Sequence, residues 1–535
     1  MAGCRRTARS RGCIARCAGR GHRGATGRIG RPVRLADRSR PHPRRGPRPC
    51  SCRVEPRHRP HRRSAPAGAR ESRQPMTSAA PVPPFTARNS LTARWLGSST
   101  GATPVWPDQP DPARYETVLD GLEDRFLTRP AFLEADETKA LEKDLNGTVD
   151  LLLSLPDRLF GGDVHAYAAA TGLRPEQARL ALRTPGQQPA RIGRADLYHD
   201  GTRFRLLEFN LSSALGGLQT PELNRLLLAH DDLAAFAASE GLTFPDTVGA
   251  LAAVILEAAY DLGRSRETPR VALMDWHAGY AKTEPEIRAL ARLLEPHGIE
   301  AIPCHTGQVR ETGGRITVDG RPIDVVYRYF TLGELTADAS SLARAEELLD
   351  AFTRCATPLL SPLRTSMHGN KRALAMLWDD RCQATYTPVE QDLVHRFLPW
   401  TRELRPGTAL IRGEQQDLPA YCLRHRSDLV LKPSHGLGGT GTAVGRSMSD
   451  QEWAAAVDTA VKEHYVVQEL VRPSPEQFPT PDTGELSPWT LNWGAFLIGH
   501  QYAGAFLRGL PTGRGDVISY DNKAYAGCVF ESRRT

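Results

Sequence analysis

Apolar residues recur at helical spacing from Tyr115 to about Leu182, most clearly in ALEKDLNGTVDLLLSLPDRLF, and predict a helical region behind an irregular Pro/Ser/Thr-rich lead-in over 76–112. The period then changes. Arg191 to Gly217, RIGRADLYHDGTRFRLLEFNLSSALGG, reads as two strand-like segments around the turn signal Asp200-Gly201. Residues 222–264 return to helix. Three strand-like runs follow, RVALMDW, GIEAIPC and PIDVVYRYF, so that 268–335 alternates strand and helix as an open α/β unit does. A helix is expected over Ser341 to Arg354, and from 357 onward strands and helices mix around a glycine-rich loop. The expected fold class is α/β, with α+β character, divided at 1–75, 76–190, 191–265, 266–350 and 351–535. No internal repeat is visible.

Charge divides the chain more sharply than periodicity does. The formal net charge is +8, yet residues 1–75 hold 22 Arg, no Lys and only Asp37, Glu55 and Glu71, which leaves the remainder at −11. An Arg-only, Pro/Gly-rich opening without apolar period buries too little surface to offset ordering entropy, so 1–75 is expected to be disordered. Met76 begins MTSAAPVPPF, an ordinary start, and the upstream bias is what misread GC-rich DNA yields; the expectation is a start codon assigned too far upstream. An acidic remainder argues against a nucleic-acid partner. Five of the ten cysteines lie in the opening, and the others (Cys304, Cys355, Cys382, Cys422, Cys528) form no C-x-x-C pair, which suits a reducing cytosol. No apolar run approaches a membrane span and no secretion signal is present, so the expected location is cytoplasmic, without a membrane partner.

The hairpin carries candidate chemistry. Alternate residues of a strand share a face, so Arg194 and Asp196 face together, as do Glu208 and Asn210. A two-residue Asp-Gly turn would send Asp196 and Glu208 to opposite faces. A three-residue loop pairing 196 with 206 and 194 with 208 unites all four, so an odd loop with Gly201 left-handed, or a bulge, is expected. Two carboxylates and an amide oxygen, Asp196, Glu208 and Asn210, suit Mg2+. An exposed polar face is the alternative for any one of them alone, but the apolar LLEF context makes charged partners necessary for the set.

Further along, LVLKPSHGLGGTGTAVG places Lys432 on a strand before Gly436, Gly438, Gly439 and Gly441. Such glycines let backbone amides approach phosphate oxygens while the lysine meets their charge. The segment is neither a Walker motif nor a Rossmann fingerprint, and alone it is also compatible with a mobile hairpin. VVQEL, with Gln468 and Glu469 on opposite faces, adds candidate contacts for an adenine amino group or a ribose hydroxyl. In the α/β unit, Asp275, Trp276 and His277 end one strand and Arg328 and Tyr329 another, where ligands bind open sheets. Arg328 is able to hold a substrate carboxylate, or to pair with Asp324 or Glu334.

The order and spacing of these motifs resemble circularly permuted ATP-grasp ligases of the glutathionylspermidine synthase type, whose signature runs Arg-x-Asp and then Glu-x-Asn twelve residues after the Asp. Arg194, Asp196, Glu208 and Asn210 match it. GNKRALAML resembles the family's Asn-Lys helix start, which implies Lys371 at the nucleotide phosphates, and LKPSHGLGGTG its second lysine and phosphate-covering loop. NWGAFLIGHQYAGAFLRG resembles the late strand pair that brings Arg508 to the reacting phosphate. The resemblance covers roughly 190–530. It implies a permuted ATP-grasp fold in which 191–265 carries the metal hairpin, 266–350 an inserted substrate domain and 351–535 the nucleotide-binding segment, behind a helical N-terminal region.

Chemically, the resemblance implies ATP-dependent joining of a carboxylate to an amine through an acyl phosphate. Mg2+ would sit on Asp196, Glu208 and Asn210; ATP on Lys371, Lys432, the glycine loop, Gln468 and Glu469; Arg194 and Arg508 would act on the transferred phosphoryl group. Partners would be a small-molecule or peptide carboxylate and an amine, or a carrier-protein arm. The chain departs from the family after the metal-binding Glu, where Asn210-Leu-Ser-Ser-Ala214 replaces Asn-Ala-Asp-Thr-Pro, and no cysteine lies between Met76 and Pro303 to serve an amidase domain. The acid and the amine are not named by the sequence. A kinase on the same fold and a non-catalytic ATP-binding protein are the alternatives.

Overall fold

A computed structural model describes residues 87–533 apart from 102, 108, 122–124, 184–187, 262–267, 412, 437–438 and 481–482. The Arg-rich opening, Met76 and Gly438 lie outside the described residues. The described chain is a mixed α/β structure built on an eight-stranded sheet. Its main path runs Ala131–Leu133, Tyr525–Ser532, Gln501–Pro511, Leu486–Ile498, Ile192–His199, Phe204–Leu211, with Glu476–Pro479 and Leu242–Thr243 attached at its margins.

The helical region expected from Tyr115 to Leu182 is not continuous. It comprises helices Pro112–Gly121, Ala135–Phe160, Val164–Ala170 and Pro175–Ala181, interrupted by the strand Ala131–Leu133, which pairs in parallel with Val529–Glu531. Within Ala135–Phe160, Glu134 and Glu137 form a capping box and left-handed Gly161 ends the helix. Its buried Leu141, Leu145, Val149, Leu152 and Leu155 make one stripe. That stripe joins the core formed by the back of the sheet, including Ala195, Leu197, Phe209, Trp493, Leu497 and Leu507.

The hairpin pairs 199 with 204 across a tight loop, then shifts register: Leu197 faces Leu206, whereas Asp196 faces Glu208 and Arg194 faces Asn210. A bulge at Leu207, not the expected pairing of 196 with 206, puts the four polar residues on one face. Gly201 is left-handed, at φ 101°, and the turn is held by Asp200 Oδ1, which accepts from the backbone N–H groups of Thr202 and Arg203 and from the Thr202 hydroxyl.

The front of the sheet is covered in its lower part by the helix Thr247–Asp261 and a four-stranded parallel sheet ordered Leu359–Leu360, Val325–Arg328, Arg270–Asp275, Glu300–His305. The upper part faces a separate antiparallel sheet, ordered Thr401–Glu403, Val466–Glu469, Leu429–Lys432, Ala443–Val444, whose own core centres on Trp453, Leu431 and Val467. Between them lies a cavity of about 360 Å³. All five cysteines of the described residues are free and buried, and none of the described helices is long and apolar enough to cross a membrane.

Register explains how the front face is furnished. Asp196 pairs with Gly494, Gly494 with Phe506, and Asn492 with Arg508, so these side chains share a face. Phe506 fits because two glycines leave room: a Cβ at Gly494 would lie 2.4 Å from its ring, and one at Gly217 2.8 Å. Its ring in turn lies 5.1 Å from the guanidinium of Arg194 and 5.5 Å from that of Arg508. Gly494→Val is expected to destabilise the fold by ~1–3 kcal/mol through overpacking, read as a lower urea midpoint at unchanged m.

Candidate active site

Each charged group of the site is placed by an element whose local sequence accounts for it. Asp196 is buried on the sheet face and accepts from Arg194 Nε at 2.9 Å and from Arg508 Nη2 at 2.7 Å. Arg508 Nη2 also donates to Asn492 Oδ1 at 2.9 Å, and Arg194 Nη1 to the carbonyl of Gly216 at 3.1 Å. Burial alone would raise the Asp196 pKa; the two guanidiniums more than reverse that and hold it well below the usual carboxylate range.

Glu208 stands opposite. Asn210 Nδ2 donates to its Oε1 at 3.2 Å, and Lys371 Nζ lies 3.0 Å from its Oε2. Burial works against its ionisation, but Lys371 and Lys432 outweigh that and keep its pKa below the ordinary value. Lys371 arrives there because Gly369 lets its helix begin directly against the hairpin's second strand: a Cβ at Gly369 would come within 2.7 Å of the Leu211 backbone nitrogen. Asn370 caps that helix by accepting from Arg372 N. Lys371 Nζ also donates to the carbonyl of Gly436 at 3.1 Å, tying the glycine loop to the carboxylate.

Lys432 ends the strand Leu429–Lys432. Its Nζ donates to Gln468 Oε1 at 2.6 Å and to the Leu207 carbonyl at 3.2 Å, with no carboxylate in hydrogen-bond reach. Desolvation lowers its pKa to about 8 against the attraction of Glu208. Gln468, expected at an adenine or ribose, is instead buried and spends its amide on Thr401 Oγ1 and the Leu207 carbonyl while its oxygen holds Lys432. Glu469 reaches the cavity wall.

The cavity thus gathers Arg194, Asp196, Glu208, Asn210, Lys371, Lys432, Gln468, Glu469 and Arg508 from positions up to 314 apart in sequence. Gly436 and Gly439 line it; Gly441, left-handed at φ 74°, turns the loop without lining the cavity. Val430, Val444, Leu470, Val471 and Ile518 form an apolar wall beside Lys432 and Glu469. Asp516 and Val517 close the same end: Asp516 accepts from Arg446 and Ser447, and a Cβ on Gly439 would meet Val517 at 2.6 Å. His435 anchors the loop from outside, 3.2 Å from the Gly172 carbonyl and 3.3 Å from Asn370 Nδ2.

The donor set fits a hard divalent cation. Asp196 and Glu208 are cross-strand neighbours on one face, both held ionised, with an amide beside them. Among the described residues no group of three or more His, Cys, Asp or Glu side chains offers a metal site, so this pair with its amide is the oxygen-rich candidate.

Sequence reading missed Asn492 and Phe506. The first is a lone amide in the apolar run LNWGAFLI, and a polar residue in such a run needs a buried partner; here it is Arg508. Of the two readings of Arg328, the ion pair with Asp324 or Glu334 does not form, while the residue lines the cavity as the substrate-carboxylate reading requires. Asp324 is engaged by Arg315 and by the backbone of Arg270, and Glu334 by Thr331.

No family model matches the chain. An uncharacterised protein of Mycobacterium leprae is 28% identical over 333 residues, 59% of this chain and 53% of that protein, so the match spans about half the relative's length. A glutathione synthetase-like effector of Globodera pallida, solved in apo form, aligns over 80% of this chain and 99% of its own, at 11% identity and TM-score 0.49. A protein designated gamma-glutamylcysteine synthetase from Methylobacillus flagellatus aligns over 75% and 87%, at 16% identity and TM-score 0.37. At these levels of similarity, function rests on this chain's own side chains.

Asp196 has a depressed pKa in the fold, so its stabilising contribution is complete above its unfolded value near 3.8 and is withdrawn as pH falls through the lower folded value. Asp196→Asn leaves two guanidiniums without their anion and is expected to cost ~3–5 kcal/mol at neutral pH. The variant's stability is also expected to fall less than the wild type's as acid is added below about pH 4. Urea midpoints measured across that range check both.

Proposed function

We propose that this chain is an ATP-dependent ligase that joins a carboxylate to an amine with release of ADP and phosphate, on an ATP-grasp fold of the circularly permuted, glutathionylspermidine synthase-like kind. The observation that carries the reading is the convergence on one cavity of the two acids, the amide, two lysines and two arginines that the motifs assign to metal, nucleotide and transferred phosphoryl group. The apolar wall of Val430, Val444, Leu470, Val471 and Ile518 suits a nucleobase, with Lys432 on the strand that carries Val430 and Lys371 against Glu208.

Phosphoryl transfer depends on positioning and charge neutralisation more than on covalent chemistry from the protein. Asp196, Glu208 and Asn210 would hold Mg2+, which supplies positive charge at the terminal phosphates of ATP. Lys432, its ammonium held by Gln468 without a carboxylate bond, is the cation most ready for a nucleotide phosphate. Lys371 would exchange its contact with Glu208 for another. Arg194 and Arg508, supported by Phe506, are positioned for the transferred group and the oxyanion that develops on the acid. The loop 436–441, tied at the Gly436 carbonyl to Lys371 and anchored before it by His435 on Asn370, would exclude water from the acyl phosphate.

With Mg2+, ATP and a pool of carboxylic acids, amino acids and polyamines, the wild type is expected to release ADP and form a product heavier than the acid by the amine less water. Asp196→Ala and Glu208→Ala are expected to lower turnover roughly 100-fold or more. A phosphorylated acceptor without amide formation would identify a kinase instead, and failure to bind Mg·ATP would exclude both enzymes.

Lys432 gives a pH signature. A phosphate bound beside an ammonium with a pKa of about 8 raises that pKa, so Mg·ATP binding above about pH 8 is expected to take up a proton and to weaken as pH rises. Titration calorimetry in two buffers of different ionisation enthalpy measures the uptake, and Lys432→Met is expected to remove it.

A further inference from the structure

Arg328 ends the strand Val325–Arg328 at the floor of the same cavity. It is 1% exposed and forms no ion pair among the described residues. Its Nε donates to the Ser361 carbonyl at 2.9 Å and its Nη1 to the Phe330 carbonyl at 2.5 Å; Nη2 reaches Ser361 Oγ at 3.2 Å and Ser212 Oγ at 3.5 Å. Neutral acceptors fix the plane of the guanidinium, and the anion nearest in effect, Glu334, acts on it without forming an ion pair. A buried charge normally has a partner of opposite sign or is neutralised, and arginine does not give up its proton in proteins.

The surroundings are built for this guanidinium. Ser361, whose carbonyl and hydroxyl both serve it, is fully buried in the left-handed region at φ 59°, a conformation that crowds a residue with a Cβ. Ser213 Oγ donates to the Arg328 carbonyl, Ser213 N to Ser361 Oγ at 3.2 Å, and Tyr327 OH to the Ser213 carbonyl at 2.7 Å. The segment stitched to Arg328 is therefore the Ser212-Ser213 stretch in which this chain departs from the family it resembles. Asn210 lies only two residues earlier, about 7 Å along an extended strand. Around Arg328 the cavity wall is otherwise small or apolar: Ala214, Leu215, Thr331 and Leu332.

We infer that Arg328, with Ser212, is a substrate anion site, and that the acid consumed by this enzyme carries a second anionic group, a dicarboxylate or an acidic amino acid. Arg328 meets one carboxylate with the N–H its neutral acceptors leave free and with the Nη2 donor that now makes the long contact to Ser212 Oγ, while the other carboxylate lies among Arg194, Arg508 and the carboxylates of the hairpin. The inference rests on the ligase reading for the fate of the acid, but the anion site itself can be tested apart from turnover. Desolvation of the guanidinium, which lowers its pKa to about 10, is in keeping with a charge awaiting an anion.

The test is calorimetric binding of glutarate, L-glutamate, butyrate and glutaramide to the full chain, with and without Mg·ATP, on wild type, Arg328→Gln and Ser212→Asp. Glutarate or glutamate is expected to bind at least roughly tenfold more tightly than butyrate, and glutaramide not at all. Arg328→Gln is expected to cut diacid affinity roughly tenfold or more, the scale of a lost charged hydrogen-bond pair. Since Arg328→Gln removes bonds to buried carbonyls and risks misfolding, Ser212→Asp decides independently. It supplies an internal carboxylate beside Nη2, and is expected to raise Tm and abolish diacid binding while Mg·ATP still binds.

Equal binding of diacid and monoacid, no diacid binding by wild type, or undiminished diacid binding by folded Ser212→Asp would each overturn the inference. Mg·ATP binding without diacid binding would remove the anion site and leave the ligase reading standing. Diacid binding without Mg·ATP binding would do the reverse.

Discussion

A carboxylate withdrawn from water stays ionised only when cations are held against it, and at Asp196 the sheet itself holds two. Arg194 comes from the same strand, two residues away, and Arg508 from a strand two places across. The carboxylate anchors both guanidiniums, and they in turn outweigh the burial that opposes its ionisation. The glycines at 217 and 494, the ring of Phe506 between them and the amide of Asn492 all serve this triad: they make room for it, floor it or accept from Arg508 Nη2. The strand order of the sheet and the chemistry of its front face are in that sense one arrangement.

Around the triad, charge is distributed unevenly, and the unevenness has direction. Lys371 is bonded to Glu208, Arg194 and Arg508 to Asp196, but Lys432 and Arg328 have only neutral oxygens. The two cations without carboxylates lie on different walls, one on the small antiparallel sheet beside the apolar slot, the other at the end of the parallel sheet. An anionic molecule entering from either wall meets a cation that surrenders no internal ion pair, and those are the interactions with the most free energy to give. The paired cations nearer the centre then exchange partners rather than gain them, which keeps the centre nearly balanced in charge before and after a ligand binds.

Much of the hairpin's polar face was legible because strand alternation is a two-residue rule: once Arg194, Asp196, Glu208 and Asn210 were required to share a face, an odd register had to occur. Its place did not follow, since a bulge at Leu207 and a three-residue turn satisfy the same parity. The strand Ala131–Leu133 was hidden for another reason. Three apolar residues between helices carry no period, and only a parallel partner almost 400 positions later makes them a strand. For Gln468, sequence shows that a strand residue points inward without showing what stands opposite; cross-strand pairing with Val430 puts it at the cavity within reach of Lys432, and the buried lysine claims its oxygen. For Arg328, two readings stood side by side, and the ion pair failed because Asp324 and Glu334 were already occupied, which nearness in sequence does not show.

The pairing of Ile192–His199 with Leu486–Ile498 has a consequence for the chain as it leaves the ribosome. At about 5–20 residues per second, synthesis from the end of the hairpin at Leu211 to the start of its neighbour at Leu486 occupies roughly 15–55 s. Through that interval one edge of the hairpin presents unpaired backbone groups, the circumstance in which nascent strands join the wrong partner. Its exposed face then carries Arg194, Asp196 and Glu208, fully solvated. Charges on such a strand discourage intermolecular pairing, so the residues that furnish the finished site also protect its scaffold while the sheet is incomplete.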